Sequence, residues 1–456
     1  MASHVFLKLC RASSNRPSQL LALSKKGIHH QNRKFSHVVG HEPTKPVQTI
    51  AEMREKLHKI MGVQKGYTPL KVDRTHLLEM LPSSQADLPV RTMNDSFDHA
   101  LIPLSTDLDM REKYTTLHGY VRLGRLMEDM DIFAVWLSFK HIDNPKQKDV
   151  LTPYNIVTVL VDQIDFTSVI PSPDADIRLS GHVSWVGKST MEVAVWLEQF
   201  QHGAWRKLTR AIFLMAARNS TNTHSACINS LKATNEEEKK ILDGGLARKL
   251  RRSQVQKENL LRMTPDVNEQ HIIHKLFLDT VDPNDLTFER RVLPTNGRWM
   301  SDTTVTNMIN SHPEDRNLHN TVFGGFLMRQ AVELSSTCCF AHSYFKPRLV
   351  CMSDIVFHHP VEVGALLRMH ARVVYAEMDY AQVTTHAEVT DPYGGTKKTT
   401  NVFHFTYHVP QIIRKVYPST YHEAMHYLDG RRHFQYAMGL TNQSGGAGPS
   451  SRGITL

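Results

Sequence analysis

Two stretches of this 456-residue chain lie over each other without a gap. TLHGYVRLGRLMEDMDIFAVWLSFKH at 116–141 matches NLHNTVFGGFLMRQAVELSSTCCFAH at 317–342 at a constant offset of 201. Eight of the 26 positions are identical: Leu117/Leu318, His118/His319, Val121/Val322, Gly124/Gly325, Leu126/Leu327, Met127/Met328, Phe139/Phe340 and His141/His342. Chance would supply about one or two. Downstream, VDQIDF (161–166) matches MSDIVF (352–357), and HVSWVGKSTMEVAV (182–195) matches RVVYAEMDYAQVTT (372–385). The chain therefore holds two homologous halves, and whatever fold one half takes the other takes as well.

Each half reads as one helix followed by a run of strands. After Gly124 and after Gly325 comes a long apolar-rich segment free of Pro and Gly, so each glycine is expected at the start of a central helix. Alternating, β-branched stretches follow: IVTVLVDQIDF, RLSGHVSWV, MEVAVWLEQF and KLTRAIFLMAAR in the first half, RLVCMSDIVF, ALLRMHARVVY, AQVTTHAEV and KTTNVFHFTYHV in the second. Turn signals such as Pro392-Tyr393-Gly394-Gly395 separate them, which predicts an antiparallel meander. A long helix with strands that wrap it is an α+β unit.

The formal charge of +9 raises nucleic acid or an anionic membrane as partner. Its distribution argues against both. Residues 1–40 carry Lys8, Arg11, Arg16, Lys25, Lys26, Arg33 and Lys34 and no acid, so the remainder holds only about +2. That opening, rich in Ser and small apolar residues, has the composition of a mitochondrial transit peptide, and Arg33-Lys34-Phe35-Ser36 suggests cleavage after Phe35. No apolar run approaches the roughly 18 residues of a spanning helix. The five cysteines, Cys10, Cys227, Cys338, Cys339 and Cys351, show no C-x-x-C spacing. Buried thiols fit them better than disulfides or structural zinc.

N-x-x-x-x-x-F-G-G opening a helix, a V-D-x-I-x-F strand and the hairpin SGHVSWVGKSTMEV, in this order and in duplicate, resemble the double-hotdog acyl-CoA thioesterases. The basic leader and the connector EEEKKILDG (236–244) point to their mitochondrial branch. The resemblance covers about 90–430. It implies two tandem hotdog domains, each a long central helix wrapped by an antiparallel sheet. The segments expected are 1–35 transit peptide, 36–89 N-terminal extension, 90–235 first hotdog, 236–290 solvated connector helix and linker, 291–435 second hotdog, and 436–456 disordered tail. It implies hydrolysis of acyl-CoA in the mitochondrial matrix by a homo-oligomer, without nucleic acid, membrane span, metal or cofactor. A non-catalytic acyl-CoA sensor, or a hydratase using His319, are the alternatives.

In that family backbone N–H groups at the central helix N-terminus hold the thioester oxygen, where the helix dipole favours negative charge. Gly324 and Gly325 suit this close approach. An Asn before the glycines orients water or substrate, and an acid seven residues after the second glycine is the base, the two coming from different halves. Here the pattern is divided. The second half has Asn317 but Val332 at the acid position, while the first has Thr116 in place of the Asn but Asp131 at the acid position. One composite site, Asn317 with Asp131 and Gly325, and one degenerate site, Thr116 with Val332, are expected. Asp131 also fits an exposed helix acid and Asn317 a simple cap or turn residue. A shifted alignment would promote Glu128, and Glu333 reads as a secondary polar contact.

Coenzyme A carries phosphates that need donors and cations, for which the hairpin Val186-Gly187-Lys188-Ser189-Thr190 is the candidate. An ordinary β-turn fits it too, and His182 and Arg372 are further candidates. His422-Glu423-Ala424-Met425-His426 spells H-E-x-x-H, a zinc-protease pattern. The repeat argues against that reading, because Leu428-Asp429-Gly430 matches Leu242-Asp243-Gly244 and so His422 and His426 fall on Glu236 and Lys240. His312 and the pair His358-His359 read as turn or strand-end residues.

Overall fold

The computed structural model of the chain describes residues 47–440 apart from 64–65, 67–72, 148–150, 167–169, 258–259, 285–286, 318–320, 354 and 392–393. The basic leader with its cleavage site, the end of the chain at 443–453, and His319 lie outside the described residues.

The two repeats fold alike. In the first, helix α2 (Leu123–His141) lies in a six-stranded sheet made of β1 (Asp98–Ile102), β2 (Tyr154–Val161), β4 (Ile177–Val186), β5 (Thr190–Gln201) and β6 (Ala204–Asn219), with one short strand borrowed from the second half. In the second, α5 (Gly324–Ser343) lies in β7 (Val305–Asn310), β8 (Arg348–Met352), β10 (Leu366–Glu377), β11 (Tyr380–Thr390) and β12 (Lys397–His408), again with one borrowed strand. Every pairing within these two sheets is antiparallel. The repeated helix-then-strands pattern predicts such an α+β unit, and the arrangement is the hotdog that the family resemblance implies.

The borrowed strands join the halves. β3 (Ile164–Asp165) pairs with β8 and β9 (Ile355–Val356) pairs with β2, so each sheet is completed at the edge by the segment matched in VDQIDF and MSDIVF. The central helices meet as well. A Cβ on Gly325 would lie 2.8 Å from Glu128 Cα, and one on Gly124 3.1 Å from the Arg329 carbonyl oxygen. Only glycine permits helices to cross this closely. Helix α2 is consequently buried on nearly every side, and even Glu128, Asp129 and Asp131 are enclosed, while α5 leaves Thr337, Phe340 and Ala341 exposed.

The N-terminal extension is part of the fold. Thr49 and Glu52 form a capping box that starts α1 (Ile50–Met61), and Gly62 closes it with φ 71°. Met53 and Leu57 on α1 are fully buried, and the Leu101 N–H donates to Gln48 O at the edge of β1. The connector departs from the sequence reading. Helix α3 (Glu236–Lys257) keeps most of its charged side chains in solvent but packs along one face: a Cβ on Gly245 would lie 2.5 Å from Trp185 Cβ, and Arg248 and Arg252 reach the fully buried Glu192 at 2.7 and 2.6 Å. Arg248 and Arg252 could not be told from the solvated charges around them, because their carboxylate partner lies on a strand 56 and 60 residues earlier. After α4 (Val267–Leu278), α6 (Tyr421–Ala437) lies against β10, β11 and β12, tied to α4 by Arg432 and Glu269. Cys338, Cys339 and Cys351 are buried free thiols and Cys227 is half-buried. Among the described residues no helix is long and apolar enough to cross a membrane.

Candidate active site

Neither central helix carries its own cap. Arg122 before α2 and Phe323 before α5 make no side-chain capping bond, and neither first turn holds an acid. The start of α5 is capped from the other half of the chain. The Gly325 N–H donates to Asp131 Oδ2 at 2.8 Å, and the Thr158 hydroxyl donates to Oδ1 at 2.7 Å. Asp131 and Gly325, far apart in sequence, are thus in contact, with a carboxylate at the positive end of a helix.

Asp131 has no solvent exposure, and burial pushes its carboxyl up to about 6. The bonds from Thr158 and Gly325 oppose that rise, and the nearby Glu128 adds to it. The other acids are committed elsewhere. Glu128 lies 2.8 Å from Arg329 Nε and 3.2 Å from Arg125 Nη1. Asp129 accepts from the Tyr114 hydroxyl and pairs with Arg54, while burial lifts its carboxyl to about 6. Glu333 pairs with Arg122. Of the three acids in the N-terminal half of α2, Asp131 is the one held only by neutral donors.

Asn317 opens the loop that runs to Gly324. Its Oδ1 accepts from the Thr321 N–H at 3.2 Å and its own N–H donates to Thr321 O at 2.7 Å. Thr116 makes the same turn in the first half, its hydroxyl accepting from the Tyr120 N–H at 3.1 Å. Gly324 keeps space open beside Asp131, since a Cβ there would lie 3.0 Å from the Phe357 ring and 3.6 Å from Asp131 Oδ2. The sequence reading gave the Gly325 N–H to a substrate oxygen; in this state it is engaged by the carboxylate.

Thr158 escaped the sequence reading, although a signal was present. The strand registers align Val161 and Phe213 with Met352 and Phe405, which sets Thr158 opposite Leu349 in the repeat and Met215 opposite Tyr407. A hydroxyl in one half and an aliphatic side chain in the other is the same asymmetry as Asp131 against Val332. At the degenerate position the Tyr407 hydroxyl bonds Ser335 at 2.6 Å and Val332 O at 3.3 Å.

The phosphate candidates separate. In the hairpin, the Gly187 N–H donates to Thr190 O, while the carbonyls of Gly187, Lys188 and Ser189 accept from Gln85, Ile228 and Ala217. Lys188 is exposed, and Ser189 and Thr190 are half-buried. Met191 is in register with Met215 and Met215 with Thr158, so the hairpin lies two strands from Thr158, about 10 Å across the sheet. His182 and Arg372 are not surface groups awaiting an anion. His182 is buried against Trp196, and Arg372 is bonded to Thr304 and paired with Glu423. In the H-E-x-x-H run the His422 and His426 Nε2 atoms are 3.2 Å apart, but Glu423 accepts from the Ser419 N–H and hydroxyl and does not face them as a base.

Two fused hotdog units with a buried carboxylate of one at the helix N-terminus of the other define a chain of the double-hotdog thioester-hydrolase class. No family model matches it. It is 40% identical over 417 residues to the mitochondrial acyl-coenzyme A thioesterase 9 of Mus musculus, covering 90% of this chain and 94% of that protein. It is 40% identical over 395 residues to the Homo sapiens thioesterase 9, covering 86% and 89%. The Mus musculus mitochondrial thioesterase 10 is 39% identical over 417 residues, covering 90% and 94%. The chain belongs to the mitochondrial acyl-coenzyme A thioesterase family. Among solved structures it is similar to an acyl-CoA hydrolase from Staphylococcus aureus, 21% identical over 32% of this chain and 92% of that one, TM-score 0.31. An acyl-ACP thioesterase from Bacteroides thetaiotaomicron is 9% identical, over 70% and 100%, TM-score 0.40.

Proposed function

We propose that this protein hydrolyses acyl-CoA thioesters to the free acid and coenzyme A in the mitochondrial matrix, as a homo-oligomer, at one composite site. The observation that carries this reading is the buried Asp131 carboxylate held between Thr158 and the N-terminal turn of α5. Above about pH 6 this carboxylate is ionised and takes a proton from water. The water oxygen bonds to the acyl carbon, the C–S bond breaks, and the proton passes from Asp131 to the departing thiolate. Charge on the carbonyl oxygen is offset by the positive end of α5 at Gly324 and Gly325, with Asn317 orienting water or substrate from the preceding loop. The same carboxylate can instead attack as a nucleophile, giving a mixed anhydride that water then opens. Lys188, Ser189 and Thr190 are proposed to meet the phosphates of coenzyme A.

The test is release of free thiol from a panel of acyl-CoA substrates. Thiol accumulates if the protein is a thioesterase, whereas a sensor or a hydratase releases none. A double variant of Asp131→Ala and Asn317→Ala should be little worse than the poorer single one, since groups acting as a unit are not additive. After a single turnover in heavy-oxygen water, label in the Asp131 carboxylate identifies a nucleophile whose anhydride is opened at the aspartyl carbon, since a general base acquires none. Protein recovered from mitochondria should begin near Ser36.

A further inference from the structure

The outer face of the second sheet, under α6, carries a group of side chains that hydrolysis does not use. His404 on β12 is 7% exposed, and its Nε2 lies 3.7 Å from Asp429 Oδ2 on α6. His433, one turn along from Asp429, places its Nε2 3.8 Å from Asp429 Oδ1. One potential ligand atom from each residue falls within 4.8 Å of the others. We propose that His404, Asp429 and His433 bind a divalent transition-metal ion of the zinc class, which pins α6 to the sheet.

The distances are the first argument. Both nitrogens flank the carboxylate beyond the roughly 3.2 Å limit of a good hydrogen bond. Metal–ligand bonds of about 2.0–2.2 Å set neighbouring ligand atoms about 3.3 Å apart at the tetrahedral angle and closer to 4 Å as that angle opens. Two imidazoles with one carboxylate suit zinc, copper, nickel or cobalt rather than calcium or magnesium, which prefer oxygen alone.

The surroundings support the site. The His404 Nδ1 lies 3.3 Å from the Thr384 hydroxyl, a contact that orients the ring and leaves Nε2 facing Asp429. Gly430 lets the helix lie close enough, since a Cβ there would be 2.4 Å from Val374 Cγ2. The two imidazole rings stack with centroids 3.7 Å apart and planes at 12°, and the in-plane lone pairs of parallel rings do not converge. His433 must therefore turn about its Cβ–Cγ bond to share an ion, and its side chain is 27% exposed and can do so.

The repeat supplies a control. The strand register sets Ile212 and Ala194 where the second half has His404 and Thr384. The L-D-G match sets Ala247 where it has His433. Only the acid persists, as Asp243. The first half thus has buried Ile212 and Ala194 on its strands and an exposed Ala247 on its helix at these positions, so the shared fold does not demand imidazoles in the other.

Untagged full-length protein, stripped with chelator, tests the proposal by titration with cobalt followed by its visible bands, and with zinc followed by metal analysis after gel filtration. One ion per chain is expected, with the thermal midpoint rising by a few degrees at a hundredfold excess over the dissociation constant. His433→Ala and Asp429→Asn should each weaken binding at least tenfold and abolish the thermal shift, while His422→Ala keeps both. Both altered side chains are partly exposed, and a metal-free melt matching the parent shows that each variant is folded. Thiol release by the stripped protein should equal that of the loaded one. Absence of binding, or binding lost in His422→Ala but kept in His433→Ala, overturns the proposal; the latter would put the ion on the His422–His426 pair.

Discussion

The two places where one half's central helix begins against the other half's are built on the same frame and end differently. At the start of α5 the first half offers Asp131 and Thr158, and their polar atoms close on each other and on the Gly325 N–H. The positions that match these in the second half are Val332 and Leu349, with the Tyr407 hydroxyl turned to Ser335 and to the Val332 carbonyl. Both places keep the glycine, the close helix crossing and the turn before the helix. The difference teaches that the frame recurs in both halves, while the acid and its donors stand in one copy only. A buried carboxylate is costly. In the second copy the matching position holds Val332, an aliphatic side chain.

Removing the acid should break the comparison most strongly. Asp131→Asn keeps the shape and both hydrogen bonds if the amide donates to Thr158, yet turnover should fall about a hundredfold or more, the scale of losing a general base. The same variant should be more stable at neutral pH. The folded carboxyl titrates at about 6, above an unfolded value near 3.9, so the native state binds its proton more tightly. The stability this confers is complete below about pH 4 and lost as pH rises through about 6, about 3 kcal/mol over that window. Asparagine does not titrate. Melts of the two proteins at pH 4 and pH 8 should show the variant gaining on the parent with rising pH, and a constant difference would refute the burial argument.

Next in size is the pair of glycines. Gly325→Ala and Gly124→Ala both force a methyl group against the opposing helix, and each should cost about 1–3 kcal/mol in chemical unfolding. Only Gly325→Ala also pushes Asp131 off its donor, so it should lose about tenfold or more in kcat while Gly124→Ala stays near the parent. Equal losses of turnover would mean that both helix starts are active.

A smaller and more diagnostic effect belongs to Thr158→Val. Losing a donor to the ionised carboxylate should move the acidic limb of the kcat/KM profile, which rises through about pH 6, upward by about one unit. At pH 8 the rate should change only a few-fold. A profile left unmoved would show that Thr158 does not tune the base. The smallest effects are expected in the degenerate site, where Val332→Ala and Thr116→Ala should leave kcat within about a few-fold of the parent. A collapse in either would sink the single-site reading.

Much of this was legible in the chain itself. The offset of 201 set both central helices and their glycines, and the matched VDQIDF and MSDIVF segments proved to be where the sheets join. Asp131 was singled out because a gapless alignment fixed its position against Val332. Thr158 was overlooked because one threonine in an apolar strand looks like ordinary β-propensity until its neighbour is known. Arg248 and Arg252 looked solvated for the same reason, as Glu192 lies on another strand.

What the sequence by itself determined is periodic and local: two copies, a helix and then strands in each, glycines where the helices start, an acid in only one copy. Which acid is free of cations, which donors hold it, and which histidines face one another under α6 were decided by the tertiary structure. Those facts depend on distances between residues remote in the chain. A carboxylate's behaviour follows from what surrounds it once water has been excluded, and no local pattern encodes that environment.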